Sequence, residues 1–247
     1  MLILLSNDDG IQAEGLRFLA GELRKMARVV IVAPAREQST TSHSLTLHRP
    51  LRISKVAKDE YAVDGTPTDC ITLAVNEILK KKKPDLVASG INRGANLGDD
   101  VHYSGTVSAA MEGALLGIPA IAFSLVAHGE VKHHFKPAAR FALKICKKVK
   151  WENFPAGAML NVNFPNRPRL KGYAWGPLGK RNYGNVICEK TDPHGRKYYW
   201  VGGDQRGFYN RKGSDCNLID EGKVSITPLH VDMTHDVLLN NRDSLGL

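Results

Sequence analysis

Two adjacent carboxylates, Asp8 and Asp9, stand directly after the first aliphatic run of the chain and before a glycine. In an open parallel sheet, ligands bind at the carboxyl ends of the strands, so this position is typical of a functional site. Two neighbouring anions raise each other's pKa unless a cation neutralises them, and Mg²⁺ or Mn²⁺ accepts carboxylate, hydroxyl and amide oxygens. The pair therefore predicts a divalent-metal site. The alternative is that Asp8 caps the following turn or helix while Asp9 is solvated.

Hydroxyl and amide side chains recur in two later loops. The loop 38–44 follows the second predicted strand, and one of its hydroxyls could complete a metal shell, although such clusters are usually only solvated. The segment 89–98, which contains Asn92 and Asn96, offers neutral oxygen ligands. It has neither the glycine pattern of a dinucleotide site nor a Walker lysine, so by itself it predicts an ordinary Gly/Asn turn.

Ser104, Gly105 and Thr106 open a segment rich in alanine and glycine. Ser104 is placed to cap a helix there, and the free N–H groups of the first turn, with the Thr106 hydroxyl, suit a phosphate group. Capping alone is the commoner use of serine at such a position. The functional interpretation rests on a coincidence, because loops at one edge of the predicted sheet carry both metal-type and anion-type groups.

The elements that must position these residues alternate between strands and helices. Strands are predicted at 2–5, 28–33, 84–89 and 119–124, and helices at 14–26, 67–79, 105–116 and 136–150. This alternation predicts an α/β fold with a Rossmann-like, doubly wound and mostly parallel sheet. Beyond these elements the helices stop. Strands are expected at 157–162 and 224–229, and the aromatic, glycine-rich stretches 173–183 and 198–209 predict hairpins.

The net charge of +9 is distributed unevenly along the 247 residues. Residues 1–130 hold 14 Lys or Arg and 15 Asp or Glu, whereas residues 131–247 hold 20 and 10, so the two parts carry −1 and +10. Because the predicted helices stop at about residue 150, we expect a Rossmann-like catalytic domain with the metal site over 1–155 and a β-rich, basic extension over 156–247. The extension would attract phosphorylated substrates, with plain solubility as the alternative explanation.

Composition excludes several classes of protein. Hydrophobic residues make up 43% of the chain and charged residues 24%, which excludes intrinsic disorder. No apolar run approaches the roughly 18 residues of a membrane span, and the four cysteines have no spacing typical of a disulfide framework or a zinc site. We expect a soluble, unprocessed, cytoplasmic protein that does not associate with membranes.

Taken together, the motifs resemble those of the survival protein E (SurE) family of metal-dependent nucleotidases. The resemblance runs nearly end to end and includes ILLSNDDG at 3–10, VDGTP at 63–67, SGINRG at 89–94, YSGTV at 103–107 and VSITPL at 224–229. It implies a phosphomonoesterase that removes phosphate from nucleoside 5′- and 3′-monophosphates. It also implies a homodimer or homotetramer, because the C-terminal arm of the family exchanges between subunits.

The resemblance also assigns roles to residues of this chain. The implied ligands of one divalent cation per subunit, Mg²⁺ or Mn²⁺, are Asp8, Asp9, Ser39 and Asn96. Thr40 stands where the family often has glycine, which affects the path of the loop. We expect Asp8 or Asp9 to act as the catalytic base on a water, Ser104, Gly105 and Thr106 to bind phosphate, and Asn7 and Asn92 to support the ligands.

Three alternative functions remain open from the residues. An aspartyl-phosphate phosphatase would need the pattern D-x-D-x-T instead of adjacent aspartates, and a zinc deacetylase would need a suitably spaced histidine pair. A nucleic-acid-binding module would explain the basic extension, but no recognised binding motif is present. We therefore expect nucleoside monophosphates as the partners and no stable nucleic-acid complex.

Overall fold

The computed structural model describes residues 1–127, 131–184, 187–202 and 207–241. Residues 203–206, inside the predicted hairpin stretch 198–209, and residues 185–186 and 242–247 of the predicted extension lie outside the described residues. Within the described part of the chain, no helix has the length and apolar character needed to cross a membrane.

Thirteen strands and six α-helices are described. The strands are β1 (Leu2–Ser6), β2 (Arg28–Pro34), β3 (Ile53–Ala57), β4 (Glu60–Val63), β5 (Leu86–Arg93), β6 (Ala120–Val126), β7 (Ala158–Pro165), β8 (Tyr173–Trp175), β9 (Arg181–Asn182), β10 (Ile187–Thr191), β11 (Lys197–Val201), β12 (Gly207–Phe208) and β13 (Val224–His230). The helices are α1 (Glu14–Leu23), α2 (Pro67–Leu73), α3 (Gly105–Leu115), α4 (Phe135–Lys148), α5 (Asp215–Asp220) and α6 (Asp236–Asn240).

Nine strands form one central sheet in the order β3-β4-β2-β1-β5-β6-β7-β13-β8. The pairs that join β4, β2, β1, β5, β6 and β7 are all parallel, while β3 and β13 pair antiparallel with β4 and β7. The predicted Rossmann-like α/β fold is confirmed. Since β7 and β13 belong to this sheet, the sheet continues across residue 155.

The central strands are apolar along their length because helices cover both faces of the sheet. Ile3 and Leu5 pack into the core cluster that includes α1 and α4, whereas Leu2 and Leu4 pack into the cluster on the side of α2 and α3. The small residues of α3 allow it to lie close to the sheet, because a side chain at Gly113 would meet Val87 at 2.7 Å.

Several boundaries differ from the predictions. The helix predicted over 67–79 is α2 followed by a π-helical turn at Ala74–Ile78. β5 extends beyond residue 89 to Arg93, because its pairing with β6 resumes at Asn92 after an irregularity. The antiparallel pair β3–β4 was not predicted, since most of β3 is exposed and lacks an apolar pattern.

The C-terminal region corrects two expectations. The stretch 173–183 does not form a hairpin, because β8 pairs in parallel with β13 and β9 pairs with β12. Short helices α5 and α6 also occur where no helices were expected. The stretch 198–209 contributes most of β11 to a hairpin whose other strand, β10, lies outside it, and all ten residues of β10 and β11 are exposed.

Candidate active site

The predicted carboxylate pair lies in a tight turn at the carboxyl end of β1. The Asn7 side-chain amide donates to the Gly10 carbonyl oxygen (3.0 Å), and Gly10 has a φ of 98°, a conformation that glycine adopts readily. The backbone N–H of Gln38 donates to the Asp8 carbonyl oxygen (2.8 Å). The turn is therefore joined to the loop after β2, as expected from the parallel pairing of β1 with β2.

Asp8 is buried against the N-terminus of α3. Its Oδ1 accepts a hydrogen bond from the Thr106 hydroxyl. A Cβ atom at Gly105 would lie 2.8 Å from Asp8 Cβ and 3.0 Å from Asp8 Oδ2, so only glycine allows the helix to approach this closely. Asp8 therefore does not cap α1, which begins after Ala13 without any side-chain cap.

Burial raises the pKa of both carboxyl groups. Loss of solvation raises the pKa of Asp8, and the hydrogen bond from Thr106 opposes this only in part. Loss of solvation and then the charge of Asp8 raise the pKa of Asp9 to about 6, although the Arg93 backbone N–H donates to Asp9 Oδ2 (3.1 Å). A cation between the two groups would favour their ionised forms.

The loop after β2 brings a third carboxylate that the sequence reasoning missed. Glu37 raises the pKa of both aspartates through its charge, and its Oε1 accepts a hydrogen bond from the exposed Ser39 hydroxyl (2.6 Å). The sequence could have indicated Glu37, because this residue lies directly before the predicted hydroxyl cluster. Across the described ranges, no three His, Cys, Asp or Glu side chains form a metal site by themselves.

The path of this loop is held by contacts with the segment just before α3 and with α3 itself. The Ser42 hydroxyl donates to the His102 carbonyl oxygen (2.7 Å), and His43 Nε2 lies 2.9 Å from Glu112 Oε2. Thr40 has a φ of 57°, in the left-handed region that favours glycine. Thr40 therefore has a backbone conformation that glycine adopts at lower cost than threonine.

Asn96 and Asn92 lie near the end of β5 in different settings. Asn96 is buried in the loop that follows the strand, and its side-chain nitrogen donates to Ser124 Oγ (2.7 Å). No hydrogen bond from another described residue occupies its side-chain oxygen. Asn92 lies on β5 itself and donates from its side chain to the Gly94 carbonyl oxygen (3.2 Å), so it supports the turn between the strand and Asn96.

The helix α3 begins at the predicted position. Ser104 is the N-cap, and its hydroxyl oxygen accepts from the Val107 N–H (3.1 Å). Its hydroxyl hydrogen has no acceptor among the residues that the structure covers. The Thr106 hydroxyl donates to Asp8, because the carboxylate lies beside the first turn of the helix.

The structure thus joins Asp8 to the start of α3 and Asp9 to the Arg93 backbone of β5 by direct contacts, and it ties the Ser39 loop to Asp8 through Gln38. Neither Ser39 nor Asn96 is hydrogen-bonded to an aspartate in the described parts of the chain. Their convergence on one cation, and the phosphate-binding role of Ser104, Gly105 and Thr106, stay predictions.

Comparisons with known proteins give one consistent result. Residues 3–185 match the family model described as survival protein SurE. A 5′-nucleotidase SurE of Anaeromyxobacter sp. (strain Fw109-5) is 52% identical over 97% of this chain and 93% of its own, and one of Geotalea daltonii is 51% identical over 95% of each. The crystal structure of the SurE protein from Aquifex aeolicus is 43% identical, covers all of both chains and has a TM-score of 0.89. On this evidence, the chain belongs to the survival protein SurE family.

Proposed function

We propose that this protein is a divalent-metal-dependent phosphomonoesterase that hydrolyses nucleoside 5′-monophosphates, and also 3′-monophosphates, to nucleoside and phosphate. The observation that carries the proposal is the burial of Asp8 against the N-terminus of α3, with the carboxylate of Asp9 next to it in the same turn. A cation held by the carboxylates and a phosphate held by the helix would be neighbours there. The relatives named 5′-nucleotidase SurE, which match nearly the whole chain, support the same reaction.

The donor set fits a hard divalent cation. Asp8, Asp9, Ser39 and Asn96 would hold Mg²⁺ or Mn²⁺ through carboxylate, hydroxyl and amide oxygens, the ligands that these ions prefer. The free side-chain oxygen of Asn96 and the raised pKa values of the aspartates both support this assignment. When bound, such a cation polarises a phosphoryl oxygen and lowers the pKa of a water.

The residues of this chain would then accept the proton, bind the phosphate and hold the aspartates in place. A carboxylate oxygen of Asp8 or Asp9 that the cation leaves free accepts the proton of the attacking water. The Ser104 hydroxyl and the Gly105 N–H donate to phosphate oxygens at the positive end of α3. Thr106 contributes by holding Asp8 in place. Asn7 stabilises the turn that carries both aspartates.

Phosphate release from a panel of nucleoside monophosphates, with Mg²⁺, Mn²⁺ or EDTA, tests this function. We expect Asp8→Asn and Asp9→Asn to abolish release at saturating Mn²⁺ while circular dichroism shows an unchanged fold. Asp220→Asn, which alters an exposed carboxylate at the end of α5, serves as the matched control and should remain active. Full activity of either site variant, or full activity in EDTA, would refute the proposal. Metal-independent, steeply salt-dependent binding to DNA or RNA would instead indicate a nucleic-acid-binding module.

The extension 156–247 is proposed to serve as the oligomerisation arm of a homodimer or homotetramer. The hairpin β10–β11 pairs with no other strand in the described ranges, and it exposes large apolar side chains such as Trp200 and Val201. An isolated two-stranded hairpin is marginally stable in water, and exposed apolar patches of this kind mark interaction surfaces. A second copy of the chain is the proposed partner.

We also propose a cytoplasmic location, since all four cysteines are free thiols.

A further inference from the structure

The polar groups of Asn96 are held by three side chains of the neighbouring strands. Its backbone N–H donates to Asn163 Oδ1 (2.9 Å), and its carbonyl oxygen accepts from Asn161 Nδ2 (2.8 Å) and Asn163 Nδ2 (2.9 Å). Its side-chain nitrogen donates to Ser124 Oγ (2.7 Å). Within the described residues, its side-chain oxygen is thus the one polar group left free.

The three supporting side chains share one face of the sheet. Asn161 and Asn163 are two residues apart on β7, so their side chains point the same way, and Ser124 lies opposite Asn163 on β6. All three are fully buried. Burying amides and hydroxyls is unfavourable unless they form hydrogen bonds, and here most of those bonds are directed to a single loop residue.

The loop has a further anchor in the C-terminal half of the chain. The Gly98 N–H donates to Asp215 Oδ2 (2.9 Å), and Oδ1 of the same buried carboxylate accepts from the Gly179 N–H (2.7 Å). Residues beyond position 155 therefore hold the loop on both sides of Leu97. β7 belongs to the same sheet as β1, which carries the two aspartates at its carboxyl end.

We propose that Asn161, Asn163 and Ser124 are positioning residues that direct the side-chain oxygen of Asn96 toward the divalent cation. The inference rests on the proposed function, in which Asn96 is a ligand. Ser124 accepts from the nitrogen of the amide, which leaves the oxygen at the other end of the same group available. The two asparagines prevent the backbone of Asn96 from rotating. Outer contacts of this kind typically change metal affinity by 10–100-fold when they are removed.

The decisive comparison is between Ser124→Ala and Ser225→Ala. Ser225 is also fully buried and lies opposite Asn163, on β13, but its hydroxyl has no hydrogen-bond partner in the described part of the structure. Both variants lose one buried hydroxyl from the same row of the sheet. We expect Ser124→Ala to bind Mn²⁺ at least about tenfold more weakly, and Ser225→Ala to stay within about twofold of the parent chain.

Mn²⁺ binding is measured without nucleotide, by the electron paramagnetic resonance signal of free Mn²⁺. Thermal unfolding in EDTA and in subsaturating Mn²⁺ gives a second readout. A purely structural role for Ser124 would lower both melting temperatures equally, whereas a positioning role reduces the rise that subsaturating Mn²⁺ produces. Ser124→Thr restores the hydroxyl and should recover the affinity that Ser124→Ala loses.

Unchanged Mn²⁺ affinity in Ser124→Ala, or equal weakening in both alanine variants, would overturn the inference. A Ser124→Thr chain as weak as Ser124→Ala would do the same. Failure of the proposed function has a different signature, because the parent chain itself would then bind no Mn²⁺ and release no phosphate.

Discussion

The contact between Gly105 and Asp8 leads to the most specific prediction. In Gly105→Ala, the new Cβ would lie 2.8 Å from Asp8 Cβ, and this contact must open by about 0.6 Å to reach ordinary van der Waals distance. Neither atom belongs to the end of a flexible side chain, so the helix or the turn must shift. Overpacking of this type costs about 1–3 kcal/mol, which alanine's better helix propensity, about 1 kcal/mol, offsets only in part.

The effect on activity should exceed the effect on stability. Catalytic groups need to be held within about 0.5 Å, and a displacement of about 1 Å can cost about 100-fold in rate. We therefore expect Gly105→Ala to lower kcat/KM for nucleoside monophosphates by about 10–100-fold. Its free energy of unfolding, measured by urea titration, should fall by no more than about 2 kcal/mol.

Gly21→Ala is the matched control, because Gly21 also lies in a helix, α1, but has open space around its Cβ position. Alanine there should raise the free energy of unfolding by about 0.5–1 kcal/mol and leave kcat/KM unchanged. If Gly105→Ala hydrolysed substrate at the rate of the parent chain, the close approach of α3 to Asp8 would have no role in the reaction.

Two further predictions concern the loop after β2 and the hairpin. Thr40→Gly should raise the free energy of unfolding by up to about 1 kcal/mol, since relief of the left-handed backbone exceeds the entropy that glycine adds to the unfolded chain. Thr41→Gly should lower the free energy of unfolding by about 1–2 kcal/mol, because Thr41 donates to the Gln38 carbonyl oxygen. Urea titration measures both variants, and a Thr41→Gly chain more stable than Thr40→Gly would contradict the prediction. Trp200→Asp should shift the sedimenting mass toward the monomer, whereas Val56→Asp, at an exposed site on β3, should not; equal masses for both variants would exclude the hairpin as an interface.

The elements of the sheet were largely predictable because their signals are local. Strands covered on both faces read as uninterrupted apolar runs, and β1, β2 and β6 appear within two residues of the predicted bounds. The pairing of β8 was not predictable, since a three-residue aromatic strand carries no information about whether its neighbour is parallel. The strand β3 was not predictable either, because most of it is exposed and its sequence therefore has no apolar pattern.

The candidate site was likewise predictable only in part. Asp8, Asp9 and the capping residue Ser104 could be predicted because each stands next to the element that positions it. The roles of Asn161 and Asn163 could not, because they contact a loop that is 65 or more residues away in sequence. The hydrogen bond from the Thr106 hydroxyl to Asp8 could not be predicted either, because it forms only when two separate elements approach each other.

By itself, the sequence determined the alternation of buried strands and amphipathic helices, and with it the edge of the sheet where carboxylates, amides and hydroxyls gather. These properties follow from local patterns of hydrophobicity and from residues at element ends. Only the tertiary structure decided how strongly the aspartates are desolvated, how closely α3 approaches them and which buried side chains hold Asn96. Burial and hydrogen bonding between distant segments depend on how the chain folds back on itself, which no local pattern specifies.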